Sequence, residues 1–323
     1  MGIRGYVIGR LLQMIPVILL ILVLNFILIR LAPGDPALIM AGEWATDEYI
    51  AAVREKYALD QPILVQLGKY LKQTLTGDLG YSYDWHQPVL DLILSRLPAT
   101  LLLVLSSQVL GIFLGIILGV FSARHVGSGL DATLTLSAAV AYSLPVFWLG
   151  LMLIIVFGIW LKWLPTGGMI SIVGPRTGLP HVLDILHHLI LPAVSLAVVW
   201  VAPQFLRITR SSMIEVMRED YITTARAKGL KEERVFFKHA LRNALLPNIT
   251  VIGLNLSLAM SGGLLTETVF SWPGMGRLMY EAIFRRDYPL LMGIFLFTAV
   301  LVVVGTLLTD VFYRVLDPRV RLA

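Results

Sequence analysis

The sequence predicts an all-α integral membrane protein of six transmembrane helices, and three observations carry that expectation. Of 323 residues, 57% are hydrophobic and 15% charged, and the mean hydropathy is +0.79, a balance far from that of an ordinary soluble domain. Six stretches, 11–29, 99–121, 132–161, 185–206, 244–266 and 288–309, contain no Asp, Glu, Lys or Arg. Each is long enough to cross about 30 Å of hydrocarbon as a helix rising 1.5 Å per residue. An outer-membrane barrel is excluded, because its strands need only about 9–11 residues of alternating pattern.

The elements follow in order. Arg4 and Arg10 precede the first stretch, whose 19 residues exceed the roughly 7–15 of a signal-peptide core, so it reads as a retained span within residues 1–30. Residues 31–98 form an external segment that includes two short helices. Thr46 or Asp47 caps one running to about Tyr57, and Pro62 starts another whose Ile63, Leu67, Tyr70 and Leu71 share a face. Tyr81, Tyr83, Trp85 and His86 make a turn-rich aromatic patch, which reads as a belt at the membrane interface or, second, as a ligand platform. Residues 99–323 form a five-helix core. In its first helix Gly111, Gly115 and Gly119 lie on one face at four-residue spacing, which suits close helix packing. His187 and His188 are adjacent and point apart, so they do not make a metal pair.

Charge placement predicts orientation. Arg4, Arg10, Arg124, nine basic residues within 207–243, Arg314, Arg319 and Arg321 fall on one side, against Lys162, Arg176, Arg277, Arg285 and Arg286 in the two short opposite loops. That asymmetry puts both termini in the cytoplasm, and it makes the net charge of +5 a signature of topology, not of a nucleic-acid partner. With no cysteine there is no disulfide framework and no thiolate chemistry.

A carrier driven by an ion gradient normally places ionisable groups inside the membrane. The six stretches hold only uncharged polar residues such as Asn25, Gln108, Ser143, Gln204, Asn255, Ser257 and Ser261. No phosphate-loop, zinc-protease or nucleophile-elbow pattern occurs, so no catalytic residue, metal site or cofactor is expected in this chain. The segment 207–247 stands out instead, with nine basic and five acidic residues. An apolar stripe of Ile214, Met217, Tyr221 and Ile222 continues the fourth span. Ala225-Arg226-Ala227-Lys228-Gly229 leads to a glycine able to take the left-handed conformation that ends a helix, and a new helix runs through Phe237, Ala240, Leu241, Ala244 and Leu245 toward Pro247. Such a helical hairpin can act as a lever worked by a soluble motor. Three other readings remain: an ordinary charged loop, a stand-alone ion-coupled carrier or channel, and a sensor or scaffold permease that binds partners without transporting.

Tyr221-Ile222-Thr223-Thr224-Ala225-Arg226-Ala227-Lys228-Gly229-Leu230, followed by His239-Ala240-Leu241-Arg242-Asn243-Ala244-Leu245-Leu246-Pro247, resembles the coupling-loop signature of the dipeptide/oligopeptide branch of ATP-binding-cassette (ABC) importer permeases. Leu31-Ala32-Pro33-Gly34-Asp35-Pro36, Gly77-Asp78-Leu79-Gly80, Glu267-Thr268-Val269-Phe270-Ser271-Trp272-Pro273-Gly274-Met275-Gly276 and Asp317-Pro318-Arg319 fit the same branch. The first of these resembles the first of the two permease subunits. Thr223 stands where general importers place a Glu, six residues before the loop glycine. The resemblance implies a type I importer permease fold with a periplasmic helical insertion after the first helix. It also implies an inner-membrane chain paired with a second, homologous permease, two cytoplasmic ATPases that bind ATP and Mg, and an external binding protein. Thr223, Thr224, Ala225, Arg226, Ala227, Lys228, Gly229 and Leu230 would dock an ATPase. Asn255, Ser257, Ser261 and Glu267, on the polar face and outer end of the fifth span, are candidates for the translocation path. Members carry dipeptides, longer peptides, nickel chelates, glutathione or other small solutes.

Overall fold

The computed structural model describes residues 3–31, 35–41, 45–56, 58–174, 177–259 and 263–316. In chain order its helices are α1 (Ile3–Leu31), α2 (Pro36–Ala41), α3 (Asp47–Lys56) and α4 (Ile63–Leu75). A two-residue hairpin, β1 (Tyr81–Ser82) with β2 (Gln87–Pro88), leads to α5 (Val89–Arg124). Then come α6 (Gly129–Ser143), α7 (Val146–Trp160) and α8 (Gly178–Val216). The remainder is α9 (Asp220–Ala227), α10 (residues 232–244), α11 (Leu246–Ala259), α12 (Leu264–Val269), α13 (Met275–Phe284) and α14 (Tyr288–Leu316).

Among the described residues, three helices are long and apolar enough to cross a membrane: α5, α8 and the Tyr288–Thr309 part of α14. Inside α1 the apolar stretch is the shorter Leu12–Leu28. The stretch 132–161, expected as one continuous span, is instead α6 and α7 meeting at 102°. Pro145 explains the break, since the residue before a proline is pushed out of the helical region, and Leu144 has ψ 138°. The stretch 244–266 is also interrupted. The helix α11 has 14 residues, about 21 Å at 1.5 Å each, and the sequence Gly262-Gly263 follows.

The chain forms two compact units. One contains α1 to α4, the hairpin, the start of α5, α13 and α14. Its core joins Val89, Leu92 and Ile93 of α5 to Met275, Leu278 and Ala282 of α13 and to Leu290 and Ile294 of α14. Gly293 admits α5 closely, because a Cβ there would lie 2.3 Å from Val89 Cγ1. The two short external helices appear where expected. Thr46 Oγ1 accepts from Tyr49 N–H at 3.3 Å, and α4 starts after Pro62. The face of α4 differs from expectation: Ile63 is exposed, while Leu67, Tyr70 and Leu71 are half-buried and Tyr70 meets Phe26 of α1. The first residue of a helix has no preceding turn to cover it.

The hairpin is fastened to the corner between α13 and α14. Asp287 is fully buried, caps α14 by accepting from Leu290 N–H at 3.1 Å, and accepts from Ser82 Oγ. Arg285 donates to both carboxylate oxygens of Asp84 at 2.7 and 2.8 Å, and Tyr83 Oη donates to the Arg285 carbonyl at 2.6 Å. Burial pushes the Asp287 carboxyl above its ordinary value of 3.8, against the hydrogen bonds that favour its ionised form.

The second unit holds the rest of α5 and α6 to α12. Its organising contact is α5 against α8. A Cβ on Gly111 would lie 2.4 Å from Val201 Cβ, one on Gly115 would lie 2.6 Å from the Ala202 carbonyl oxygen, and one on Gly119 would lie 2.7 Å from Thr209 Cβ. The three glycines thus face a helix of the same chain. Opposite Gly111, α8 widens into a π-helical turn at Ala197–Val201, just before Pro203, which lacks the N–H that would bond the carbonyl four residues back. Phe270 and Trp272, buried after α12, belong to the same unit, where Gly150 and Gly167 lie against Phe270.

Two outcomes follow. Gly115→Val forces side-chain atoms into backbone and should destabilise the chain by about 1–3 kcal/mol, read as a lower melting temperature in detergent. Because the Asp287 pKa is raised on folding, its carboxyl favours the folded state at low pH and that contribution is lost as pH rises above the ordinary carboxylate range. Melting temperature should therefore fall as pH rises above about 4, through the raised pKa of Asp287, and Asp287→Asn should flatten that slope.

Candidate functional site

The stretch 207–247 folds into a helical hairpin. The helix α8 ends in a turn at Met217 and Arg218, Glu219 is extended (ψ 147°), and α9 starts at Asp220. At its far end Gly229 N–H donates to the Arg226 carbonyl at 2.9 Å, and Gly229 takes φ +75°. No heavy atom lies within 4 Å of where its Cβ would be. Glycine is needed there for backbone conformation alone. Lys231 is extended, and α10 returns.

One seam holds the hairpin. Ile222, Val235, Ala240 and Ala244 are fully buried with Met213 of α8, and Ala225, Phe236 and Val120 of α5 complete the cluster. Leu230 and Met217 pack on its edge. The expected stripe is corrected here: Ile222 is its anchor, but Tyr221 is exposed and Met217 only half-buried, because the helix stops at Met217 and restarts on a new axis. The sequence reading missed Met213 and Val235, whose apolar character is visible but whose phase depends on that break. Tyr221 Oη instead accepts from Asn243 Nδ2 at 2.7 Å.

The predicted docking residues separate by role. Ala225 is buried and Leu230 half-buried, whereas Thr223, Thr224, Arg226, Ala227, Lys228 and Gly229 are exposed around the turn. Arg226 closes the turn with two hydrogen bonds to Glu232, Nη2 to Oε1 at 2.7 Å and Nε to Oε2 at 3.1 Å. That pairing holds the Glu232 carboxyl below its ordinary range and raises the Arg226 guanidinium. Glu232 therefore supports the turn above the ordinary carboxylate pKa and stops doing so as pH falls through its folded value.

A second polar knot ties helix ends beneath the hairpin. Asp131, in the first turn of α6, accepts from Arg210 of α8 twice at 2.7 Å, from Ser122 Oγ of α5 at 2.5 Å and from Gly127 N–H at 3.0 Å. Asp131 is buried, so loss of Arg210 would strand its charge away from water. Sequence spacing did not reveal this pair, since 79 residues separate its members.

Of the path candidates, Asn255, Ser257 and Glu267 fall within the described residues. Asn255 Nδ2 donates to Gln204 Oε1 at 2.9 Å, a helix-to-helix hydrogen bond. Ser257 lies on α11 and Ser261 falls outside the described residues. Glu267 lies on α12, not at the end of a continuous fifth span, and is fully buried, its carbonyl accepting from Trp272 N–H at 2.8 Å. Asp317-Pro318-Arg319 and residues 32–34 also fall outside the described residues.

Residues 111–322, two thirds of the chain, match the family described as "Binding-protein-dependent transport system inner membrane component", and residues 3–104 match its N-terminal companion, "Binding-prot-dependent transport system membrane comp, N-term". The chain belongs to this family. As a member of it, the chain is a multi-pass inner-membrane component of a binding-protein-dependent transport system, and its apolar helices accord with that. It is similar to the oligopeptide transport system permease protein AppB of Bacillus subtilis, at 43% identity over 98% of this chain and 99% of that protein. It is also similar to the di/tripeptide transport system permease protein DppB of Pseudomonas aeruginosa (39%, 98% and 98%) and the dipeptide transport system permease protein DppB of Alkalihalophilus pseudofirmus (40%, 98% and 99%).

The seam predicts the cost of loosening the hairpin. Ile222→Ala should cost roughly 2–5 kcal/mol locally, seen as faster amide hydrogen exchange across α9 and α10 with α5 unchanged.

Proposed function

We propose that this chain is the permease subunit of an ATP-driven ABC importer for dipeptides or oligopeptides, forming half of the translocation path. One observation carries the reading: in a binding-protein-dependent family member, whose relatives are named as peptide permeases, an exposed turn with Gly229 at φ +75° stands on a buried apolar footing. Exposure of Thr223, Thr224, Arg226, Ala227 and Lys228 offers a cytoplasmic ATPase a convex tip, and the seam makes that tip rigid enough to pass on its movement. Nucleotide-driven closure of two ATPases would shift the permease between inward-facing and outward-facing states by binding them unequally.

The chain itself contributes no nucleotide chemistry in this scheme; ATP and Mg belong to the ATPases. Its other partners are a second, homologous permease and an external substrate-binding protein, with lipid around the apolar helices. The six spans are α1, α5, the bent pair α6 and α7, α8, the α11 region and α14, with both termini cytoplasmic and residues 31–98 outside as a helical insertion. Asn255, Ser257, Ser261 and Glu267 remain the residues proposed for the path.

The test is uptake by proteoliposomes holding the two permeases and two ATPases with binding protein present. Peptide should accumulate only when ATP is hydrolysed, and accumulation with hydrolysis blocked, or by this chain alone, would overturn the reading. Gly229→Val strains the left-handed turn by about 1–2 kcal/mol without any clash, so uptake and stimulated ATP hydrolysis should both fall while membrane insertion persists.

A further inference from the structure

In the unit containing α13 and α14, Trp85, Arg96, Pro273, Gly274, Arg277, Leu278 and Glu281 enclose a cavity of about 130 Å³. Its charges are unevenly used. Arg277 Nε donates to Glu281 Oε1 at 2.8 Å, which occupies the one carboxylate lining the cavity. Arg96 is half-buried, its guanidinium 5.3 Å from the centre of the Trp85 ring, and among the described residues it makes no ion pair or hydrogen bond. The Trp85 indole N–H, enclosed in the same wall, has no acceptor among the described residues. Gly274 precedes α13, whose first N–H, that of Met275, donates to Thr100 Oγ1 at 2.8 Å, and the positive end of this ten-residue helix adds to the field there.

A planar guanidinium stacked on an aromatic ring with its donors unspent is the group that recognises carboxylates in a forked geometry. The lining carries one net positive charge, and a partly buried cation is costly until an anion joins it. A water's share of liquid volume is about 30 Å³, so the cavity holds a few heavy atoms, enough for a carboxylate on a short stem. We infer that this cavity is a binding subsite for a peptide carboxylate, with Arg96 as its charged anchor. That carboxylate is either an acidic side chain or a chain terminus. The cavity's own residues argue for a carboxylate; that it belongs to a peptide rests on the proposed function.

The test uses the full-length chain in lipid nanodiscs, labelled with 5-fluorotryptophan, with the Trp85 resonance assigned by its loss in Trp85→Phe. N-acetylglutamate N-methylamide presents a side-chain carboxylate, N-acetylalanine presents a terminal one, and N-acetylglutamine N-methylamide presents neither. The Trp85 resonance should move saturably with at least one carboxylate and not with the amide, and the better carboxylate identifies the source. Arg96→Gln should weaken binding at least tenfold, while Glu281→Gln, which removes the competing anion and keeps the shape, should tighten it severalfold. No shift with either carboxylate, an equal shift with the amide, or unchanged affinity in both variants would overturn the subsite.

Discussion

The close approach of α5 and α8 sets the terms for everything built on the second unit. Three glycines remove side chains where α8 passes, so the two backbones come near enough for Val120 of α5 and Met213 of α8 to share one apolar seam with the hairpin. In lipid, apolar area alone does not hold helices together, and small residues that permit dense packing take over that role. Most of the seam, from Met213 through Ile222 to Ala240, lies beyond the apolar stretches, where water is again the competing solvent and burying Ile222, Val235 and Phe236 is directly favourable. The hairpin is thus fastened by the hydrophobic effect onto a base fastened by packing.

Polar chemistry is placed with the same economy. Within the described apolar stretches the polar bonds are between uncharged groups, as with Asn255 and Gln204. Charges lie outside those stretches, and two buried ones are multiply bonded: Asp131 to Arg210, Ser122 and Gly127, and Asp287 to Ser82 and the cap of α14. The Arg226 and Glu232 pair is exposed, so water screens it and its contribution to stability is small. Its geometric effect is larger, because both residues flank the one glycine whose backbone sets the turn.

Much of this was legible in the sequence. Uncharged stretches announced α5, α8 and α14, and glycine at 229 after a run of small residues announced the turn. Thr46 and Pro62 marked the two short helices. What escaped has a common cause. Helical phase carries across a continuous helix but not across a break, so the stripe through Met217 and Tyr221 failed where α8 ends, and the stretch 132–161 concealed a bend of 102° at Leu144-Pro145. Long-range polar pairs such as Asp131 with Arg210, and Asp287 with Ser82, leave no local pattern at all. The aromatic patch around Trp85 reads first as an interfacial belt and only second as a ligand platform, because Arg96, Arg277 and Glu281 join it only through the fold.

The seam beneath the hairpin has residues from three directions, and Ile116, Val120 and Ala123 bring α5 into it beside α8 and α10. A push on the tip therefore cannot travel along a single rod. It is shared between α8 and the Arg124 end of α5, and the Asp131 knot, which grips Ser122 and Arg210 together, couples those two helices.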